Sequence, residues 1–406
     1  MATNKEQNKL NVPHLRFPEF QGEWEKCKLG ELAVKVGSGS TPKGGNAVYT
    51  TSGHCFVRSQ NVGMGHLILN DIAYIDESTH QKQKSTELRT NDVLLNITGA
   101  SIGRTALATE EINGGNVNQH VCIIRTNGNV EPSYICDYIQ TSKIQKYIQS
   151  LQTGGSREGL NFEQIRSFPI NIPTVEEQVK IAKLLSLINE RIATQSKLIE
   201  ELKKQKSAII DYAINSLDTD FAKFGSLYEM AGEGGTPTTS NASFYVNGKI
   251  PFVKIDDLKK KYLTENKDFI TELGLQKSSA WLVPTRSILF SNGATIGEIT
   301  ITTYPVCTKQ GILGIVPKPN IDVEFLYYFM SSSYFKKAVS RIVTEGTMKT
   351  VYLKDINNIR CPIPTKEKQL DIAKMPSALN SKIDFEQSIL KLFGSQKQYL
   401  LRQMFM

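Results

Sequence analysis

The residues of this 406-residue chain with the means to do chemistry are polar side chains set around glycines, and they come in pairs. Gly37-Ser38-Gly39-Ser40-Thr41-Pro42, followed by Lys43, is answered by Gly232-Glu233-Gly234-Gly235-Thr236-Pro237. Backbone N–H groups and hydroxyls in such loops suit phosphate oxygens. Neither loop ends in the Gly-Lys-Ser/Thr of a P-loop or fits Gly-x-Gly-x-x-Gly ahead of a helix, so a nucleotide site is not indicated. One such loop is more often a structural turn; its recurrence argues for a shared role. Thr98-Gly99-Ala100-Ser101-Ile102-Gly103-Arg104 is answered by Asn292-Gly293-Ala294-Thr295-Ile296-Gly297, with Ser291 just before it. Both read as hairpin turns at a domain tip, where polar side chains meet ligands. Gln119 beside His120, and Lys309 beside Gln310, are polar pairs next to apolar runs. Glutamine matches adenine N6 and N7, although a lone glutamine more often satisfies a backbone group. Arg58 with Ser59 and Asn61, and Arg104, Arg157, Lys254, Lys309 and Lys349, are candidate phosphate or guanine contacts. Any one of them alone is more often a solvated surface charge.

Catalytic patterns are scarce. There is no Asn/Asp-Pro-Pro-aromatic tetrapeptide of an amino methyltransferase and no His-Glu-x-x-His, and no hydrolase nucleophile elbow is expected. Glu201-Leu202-Lys203 has the Glu-x-Lys spacing of nucleases but falls in a helical stretch, where charge runs are ordinary solvated faces. The five histidines are not clustered, and Cys27, Cys55, Cys122, Cys136, Cys307 and Cys361 include no Cys-x-x-Cys. Buried free thiols in a reducing cytosol are expected rather than disulfides or zinc. The N-terminal residues lack an apolar signal core, and no apolar run approaches the roughly 20 residues of a membrane span. A cytoplasmic protein of recognition rather than catalysis is expected.

The elements that must position these loops are themselves duplicated. Pro173 and Pro364 open matching segments 191 residues apart, and this offset holds back to Gln119 and Gln310. Phe56-Val57-Arg58 answers Phe252-Val253-Lys254 with a small slip. A period this long means a duplicated domain-plus-helix unit rather than a solenoid. Short β-like runs such as Val93–Ile97 and Val121–Ile124 are separated by Gly/Asn/Thr turns, and amphipathic helices are expected over Tyr134–Leu151 and Val323–Ile342. From Thr174 a seam of alternating four- and three-residue steps (Ile181, Leu185, Ile188, Ile192 and onward to Ala213) indicates a coiled coil. A second seam runs from Ile372 to Met404, where Pro376 should kink or restart the helix. Two such helices in one chain most simply pair antiparallel and, at about 1.5 Å per residue, would hold the globular domains some 60 Å apart as a ruler.

The formal charge of +8 divides as 24 − 22 = +2 over residues 1–217 and 24 − 18 = +6 over the remainder, mildly basic and compatible with nucleic acid. Three features in order then carry a resemblance: the lead-in Leu15-Arg16-Phe17-Pro18-Glu19-Phe20 with Trp24 and Leu29-Gly30, the repeated Gly-x-Gly-x-Thr-Pro loop, and the Ile-Pro … Glu/Lys-Gln … Ile-Ala helix starts. Together they resemble the specificity subunit of type I restriction–modification systems over essentially the whole chain. The resemblance implies an α+β fold of two α/β target-recognition domains in pseudo-two-fold repeat, separated by two long antiparallel coiled-coil helices. The ranges are 1–173 and 218–364 for the domains, and 174–217 and 365–406 for the helices. It also implies that each domain reads one half of a bipartite double-stranded DNA target and that the helices set the unread gap. The subunit itself has no active site and no cofactor. Two modification subunits would use S-adenosylmethionine to methylate adenine, and restriction subunits would use ATP and Mg²⁺. The rival readings are a non-DNA scaffold with duplicated domains and a nucleic-acid-modifying enzyme acting alone.

Overall fold

Strands whose apolar residues run on without alternation build a sheet covered on both faces. Val93–Asn96 (β5) and Val121–Thr126 (β8) are such strands, with β5 and the first four residues of β8 fully buried. The structure, a computed structural model, describes residues 11–44, 48–152, 159–293, 295–343 and 349–405. It divides into two compact units, Met1–Ser196 with Ile389–Met406 and Lys197–Ser388.

In the first unit the other strands are Glu25–Lys28 (β1), Ala33–Ser38 (β2), His54–Val57 (β3), Ala73–Ile75 (β4), Thr105–Leu107 (β6), Asn116–Val117 (β7) and Pro169–Ile172 (β9). An antiparallel sheet in the order β2-β8-β5-β6 faces a smaller one ordered β4-β3-β7, and β1 pairs with β9. Successive side chains of β5 take opposite sides, as the two-residue strand period requires. Val93 and Leu95 join the helix-side core with Tyr134, Tyr138 and Phe168, while Leu94 joins Val57, Val117 and Ile123 beneath the small sheet.

The second unit repeats the plan with Phe221–Lys223 (β10), Tyr228–Glu233 (β11), Ile250–Val253 (β12), Tyr262–Leu263 (β13), Asp268–Ile270 (β14), Ile288–Ser291 (β15), Ile299–Thr302 (β16), Cys307–Thr308 (β17), Ile312–Pro317 (β18) and Arg360–Pro362 (β19). Its sheets run β11-β18-β15-β16-β13 and β14-β12-β17, with β10 paired to β19. In both small sheets the central strand pairs antiparallel with one neighbour and parallel with the other.

The long helices are Val175–Asn215 and Lys366–Gln403. Each unit takes the start of one and the end of the other. Ile181, Leu185 and Ile188 pack in the first core with Leu400, Leu401 and Met404, whereas Ile210, Ile214, Ile372 and Ala373 pack in the second. Seam residues therefore serve domain cores as well as a helix pair. The helix starts are fastened by the motif glutamines. Gln178 donates to Pro173 O (2.8 Å) and accepts from Glu131 N (2.9 Å); Gln369 donates to Pro364 O (2.9 Å) and accepts from Asp322 N (2.7 Å). Both are buried, so the residue that marks the repeat in sequence is a structural clasp.

Three sequence expectations are corrected. The helix expected over Tyr134–Leu151 is two, Pro132–Ile139 and Ser142–Ser150, because Thr141 Oγ1 accepts from Ile144 N and restarts the chain as an N-cap. Val323–Ser331 and Ser333–Ile342 divide in the same way at Ser332. The second long helix runs through Pro376 without interruption. Its neighbour Ser377 is bound to Glu324 (2.7 Å), Lys261 (2.9 Å) and Tyr328 (3.1 Å), tertiary contacts that hold the turn despite the missing donor. The six cysteines are free; Cys27 and Cys55 are half-buried and the other four buried. Burial pushes the Cys122 and Cys136 thiols up to about 12, far from reactive thiolates. Among the described residues no helix is long and apolar enough to cross a membrane, and no His/Cys/Asp/Glu cluster of metal-binding form occurs.

A buried charge pair gives the first unit a pH signature. Lys397 donates to Gln140 Oε1 at 2.8 Å, and Gln140 Nε2 donates to Asp137 Oδ1 at 3.1 Å. Burial pushes the Asp137 carboxyl up to about 7 and the Lys397 ammonium down. A carboxyl whose folded value exceeds its unfolded one gives stability present below the unfolded value and lost as pH rises through the folded value. The wild type is expected to lose on the order of 1–2 kcal/mol between about pH 5 and about pH 7.5 relative to Asp137→Asn. Denaturant unfolding of both proteins across that range tests it; parallel profiles would refute it.

Candidate nucleic-acid interface

Three segments far apart in sequence meet in the first unit. Gln119 Oε1 accepts from both the backbone N (2.9 Å) and the hydroxyl of Thr41. This orients the amide so that Nε2 donates to His120 Nε2 (3.1 Å). With Nε2 accepting, the neutral imidazole carries its proton on Nδ1 and donates it to Thr98 Oγ1, 2.5 Å away. The glycine-rich loop, the Gln119-His120 pair and the turn at Thr98 are thus one polar chain, and the Thr98 hydroxyl keeps its own proton to donate outward. Nothing in its type or spacing singled out His120 as the link. In the second unit the same loop and strand end meet more simply: Gln310 N donates to Thr236 Oγ1 at 3.3 Å, and Gly311 N donates to Glu233 Oε1 at 2.9 Å.

The glycines of the loop have a packing reason. A Cβ on Gly39 would lie 1.8 Å from Val117 O, and one on Gly234 would lie 2.2 Å from Thr308 O. Val117 and Thr308 are repeat equivalents at the ends of β7 and β17. The second glycine lets the loop lie directly on the small sheet, which sets where Thr41 and Thr236 stand.

The two turns differ by one residue. Ile97 N donates to His120 O, and Asn292 N to Gly311 O, both at 3.0 Å. Backbone pairing therefore matches Asn292 to the buried Ile97, and Thr98 falls opposite Gly293. Asn292 is buried and donates its amide to Val351 O at 3.1 Å. Ser291 is also buried, and its hydroxyl donates to Thr295 O and accepts from Glu298 N. Asn61 is buried and donates to Ile68 O at 2.9 Å. These three hold turns in shape and present no free polar group to solvent, because backbone groups claim their side chains, close in sequence for Asn61 and Ser291 and 59 residues away for Asn292. The Gly99–Gly103 turn also spells Gly-x-Ser-x-Gly. A nucleophile elbow needs a strand-to-helix turn with a base at hand. Here Ser101 lies in a short 3₁₀ turn within the β5–β6 hairpin, and His120 is engaged by Thr98 and Gln119.

The basic candidates fall into two groups. Arg58 donates to Asp71 O at 2.9 Å and lies over Tyr49, and Lys254 is paired with Asp268 at 2.8 Å. This repeat-related pair ties the small sheet to a carboxylate, and Ser59 beside it supplies a carbonyl for Asn96 Nδ2 at 2.8 Å. Lys43, Arg104, Lys309 and Lys349 are exposed and stand in no ion pair among the described residues. Thr41, Gln119, Thr295 and Gln310 are likewise exposed, while Thr98, Ser101 and Thr236 are half-buried. Arg157 lies outside the described residues. Each unit thus offers hydroxyls, amides and two uncompensated cations in loops at the ends of β2, β5 and β8 or their counterparts. Such a set has the donors and acceptors to hydrogen-bond anions and base edges.

The family described as "Type I restriction modification DNA specificity domain" matches residues 21–204 and again residues 218–392. The chain belongs to that family, with the domain present twice. Among its relatives, the type I restriction enzyme MjaVIII specificity subunit of Methanocaldococcus jannaschii is 22% identical, covering 95% of this chain and 92% of its own. The type I restriction enzyme HindI specificity subunit of Haemophilus influenzae is 19% identical over 80% of this chain and 86% of its own. The crystal structure of a type I restriction–modification S subunit from M. genitalium superposes with a TM-score of 0.59 at 16% identity, covering 97% of this chain and 99% of that one.

Proposed function

We propose that this chain is the DNA-recognition subunit of a type I restriction–modification complex, each domain reading one half of a bipartite double-stranded target. The observation that carries the reading is the duplication itself: a loop-and-turn set of the same kind occurs in both copies of a DNA specificity domain, closed by threonine and glutamine through the Gln119 side chain in the first and the Gln310 backbone N–H in the second. One small domain discriminates only a few base pairs, at about 1–3 kcal/mol each, so two copies roughly add their selectivity. The 41- and 38-residue helices would set the unread gap and dock two modification subunits. Methylation with S-adenosylmethionine, and cleavage with ATP and Mg²⁺ by restriction subunits, belong to those partners in the cytoplasm; this chain is non-catalytic and needs no cofactor of its own.

Co-expression with a cognate modification subunit, followed by single-molecule mapping of N6-methyladenine, tests the reading. One bipartite motif with a fixed gap is expected. A heptad inserted after Ile192 should keep both half-sites and change only the gap; an altered half-site would defeat the ruler. Absent or motif-free methylation would favour the scaffold instead. Lys309→Ala and Lys349→Ala should each weaken duplex binding uniformly across sequences and lower the log–log salt slope by about 1. Salt titrations of binding read this directly, and an unchanged slope would remove those lysines from the phosphate contacts.

A further inference from the structure

Each unit contains a junction where one long helix starts beside the end of the other, and the two junctions are related by the 191-residue repeat. In the first unit the junction is covered by the lead-in. Leu15 N donates to Gln403 O at 2.9 Å, Arg16 makes two 2.8 Å bonds to the Glu177 carboxylate, and Lys180 pairs with Glu19 and sits 4.6 Å over the Phe17 ring. In the second unit Lys368 stands in place of Glu177, Asp371 of Lys180, Met375 of Leu184 and Tyr212 of Gln403. These four line an open groove of about 630 Å³. No segment like the lead-in precedes the second domain, since the helix ends at Asn215 and β10 begins at Phe221.

The apolar floor is correspondingly bare. Met375 is 58% exposed and Tyr212 75%, whereas Leu184 packs half-buried against the first core. Lys368 and Asp371 are exposed and have no ion-pair partner among the described residues. The junction is thus built like its twin but with the charges exchanged: anion then cation at 177 and 180, cation then anion at 368 and 371.

We propose that this groove receives an extended apolar segment of a partner protein, carrying a carboxylate against Lys368 and a cation against Asp371. The lead-in of a second copy does not fit, because Arg16 would face Lys368 and Glu19 would face Asp371. The proposal is separate from DNA reading and stands or falls without it.

The test uses the full chain and a fluorescent peptide of residues 11–24 in which Arg16→Glu and Glu19→Lys exchange the charges, with the native-sequence peptide as control. Anisotropy titration should show the exchanged peptide binding at least about tenfold more tightly than the native one, as expected for paired rather than opposed charges. The double variant Lys368→Glu/Asp371→Lys should reverse that preference, and Tyr212→Ala, at an exposed position, should weaken the exchanged peptide several-fold without altering the helical circular dichroism. No binding of the exchanged peptide, equal binding of the two, or preference for the native one would overturn the proposal, the last pointing to a second copy as occupant.

Discussion

Gly39→Ala is expected to cost the first unit about 3 kcal/mol, the upper end of what overpacking does. The new methyl carbon would start 1.8 Å from Val117 O, and its obstacle is strand backbone rather than a flexible side chain. Either the loop lifts from the small sheet or β7 shifts, and lifting would part Thr41 from Gln119. The same motif contains its own control. A Cβ on Gly37 meets nothing within 4 Å, and that backbone is not left-handed, so Gly37→Ala should be neutral within about 0.5 kcal/mol. Denaturant unfolding of the two variants side by side is the measurement. Equal effects would mean that the glycines are retained for chain flexibility, and the account of the loop as a close-packed strap would fail. The second unit should behave alike at Gly234, where the obstacle is Thr308 O at 2.2 Å.

Arg16→Met should be as damaging, at about 3–5 kcal/mol, for an electrostatic reason. The Glu177 side chain is fully buried, and its carboxylate is held by the bidentate guanidinium. The hydrogen bond to Glu177 in turn raises the Arg16 pKa above its ordinary value. Removing the cation leaves a dry carboxylate without its counter-charge, which costs far more than the pair contributes. Arg16→Met/Glu177→Met should recover most of the loss, because no buried charge remains. Unfolding of the single and double variants in a thermodynamic cycle reads the coupling. A single-variant cost below about 1 kcal/mol would show that water reaches Glu177 once Arg16 is gone, and that the lead-in is a weak fastening.

Much of this molecule was legible before any fold was known. The repeat, the long helices and the polar loops are patterns of residue type at fixed spacing, and the physics behind them is local: a two-residue period for strands, a seven-residue period for paired helices, glycine where chain meets chain. Local pattern did not reveal which polar residues face inward. Asn61, Ser291 and Asn292 have the chemistry of contact residues, yet nearby backbone groups claim them. The helix breaks at Thr141 and Ser332 were written in capping residues that an apolar period runs straight past. Pro376, a breaker by its own chemistry, sits inside a helix because Ser377 is held by Lys261, Glu324 and Tyr328.

The sequence by itself determined the duplication and the long helices, and its motifs carried the resemblance to the type I specificity family, because motif order and periodicity survive in residue order alone. Only the tertiary structure decided that Thr41, Gln119, His120 and Thr98 form one chain of hydrogen bonds, that Arg58 and Lys254 are tied to aspartates, and that one of two equivalent helix junctions is covered and the other open. Those facts depend on burial and on partners tens of residues away, and a side chain's partner is fixed by the folded path of the chain.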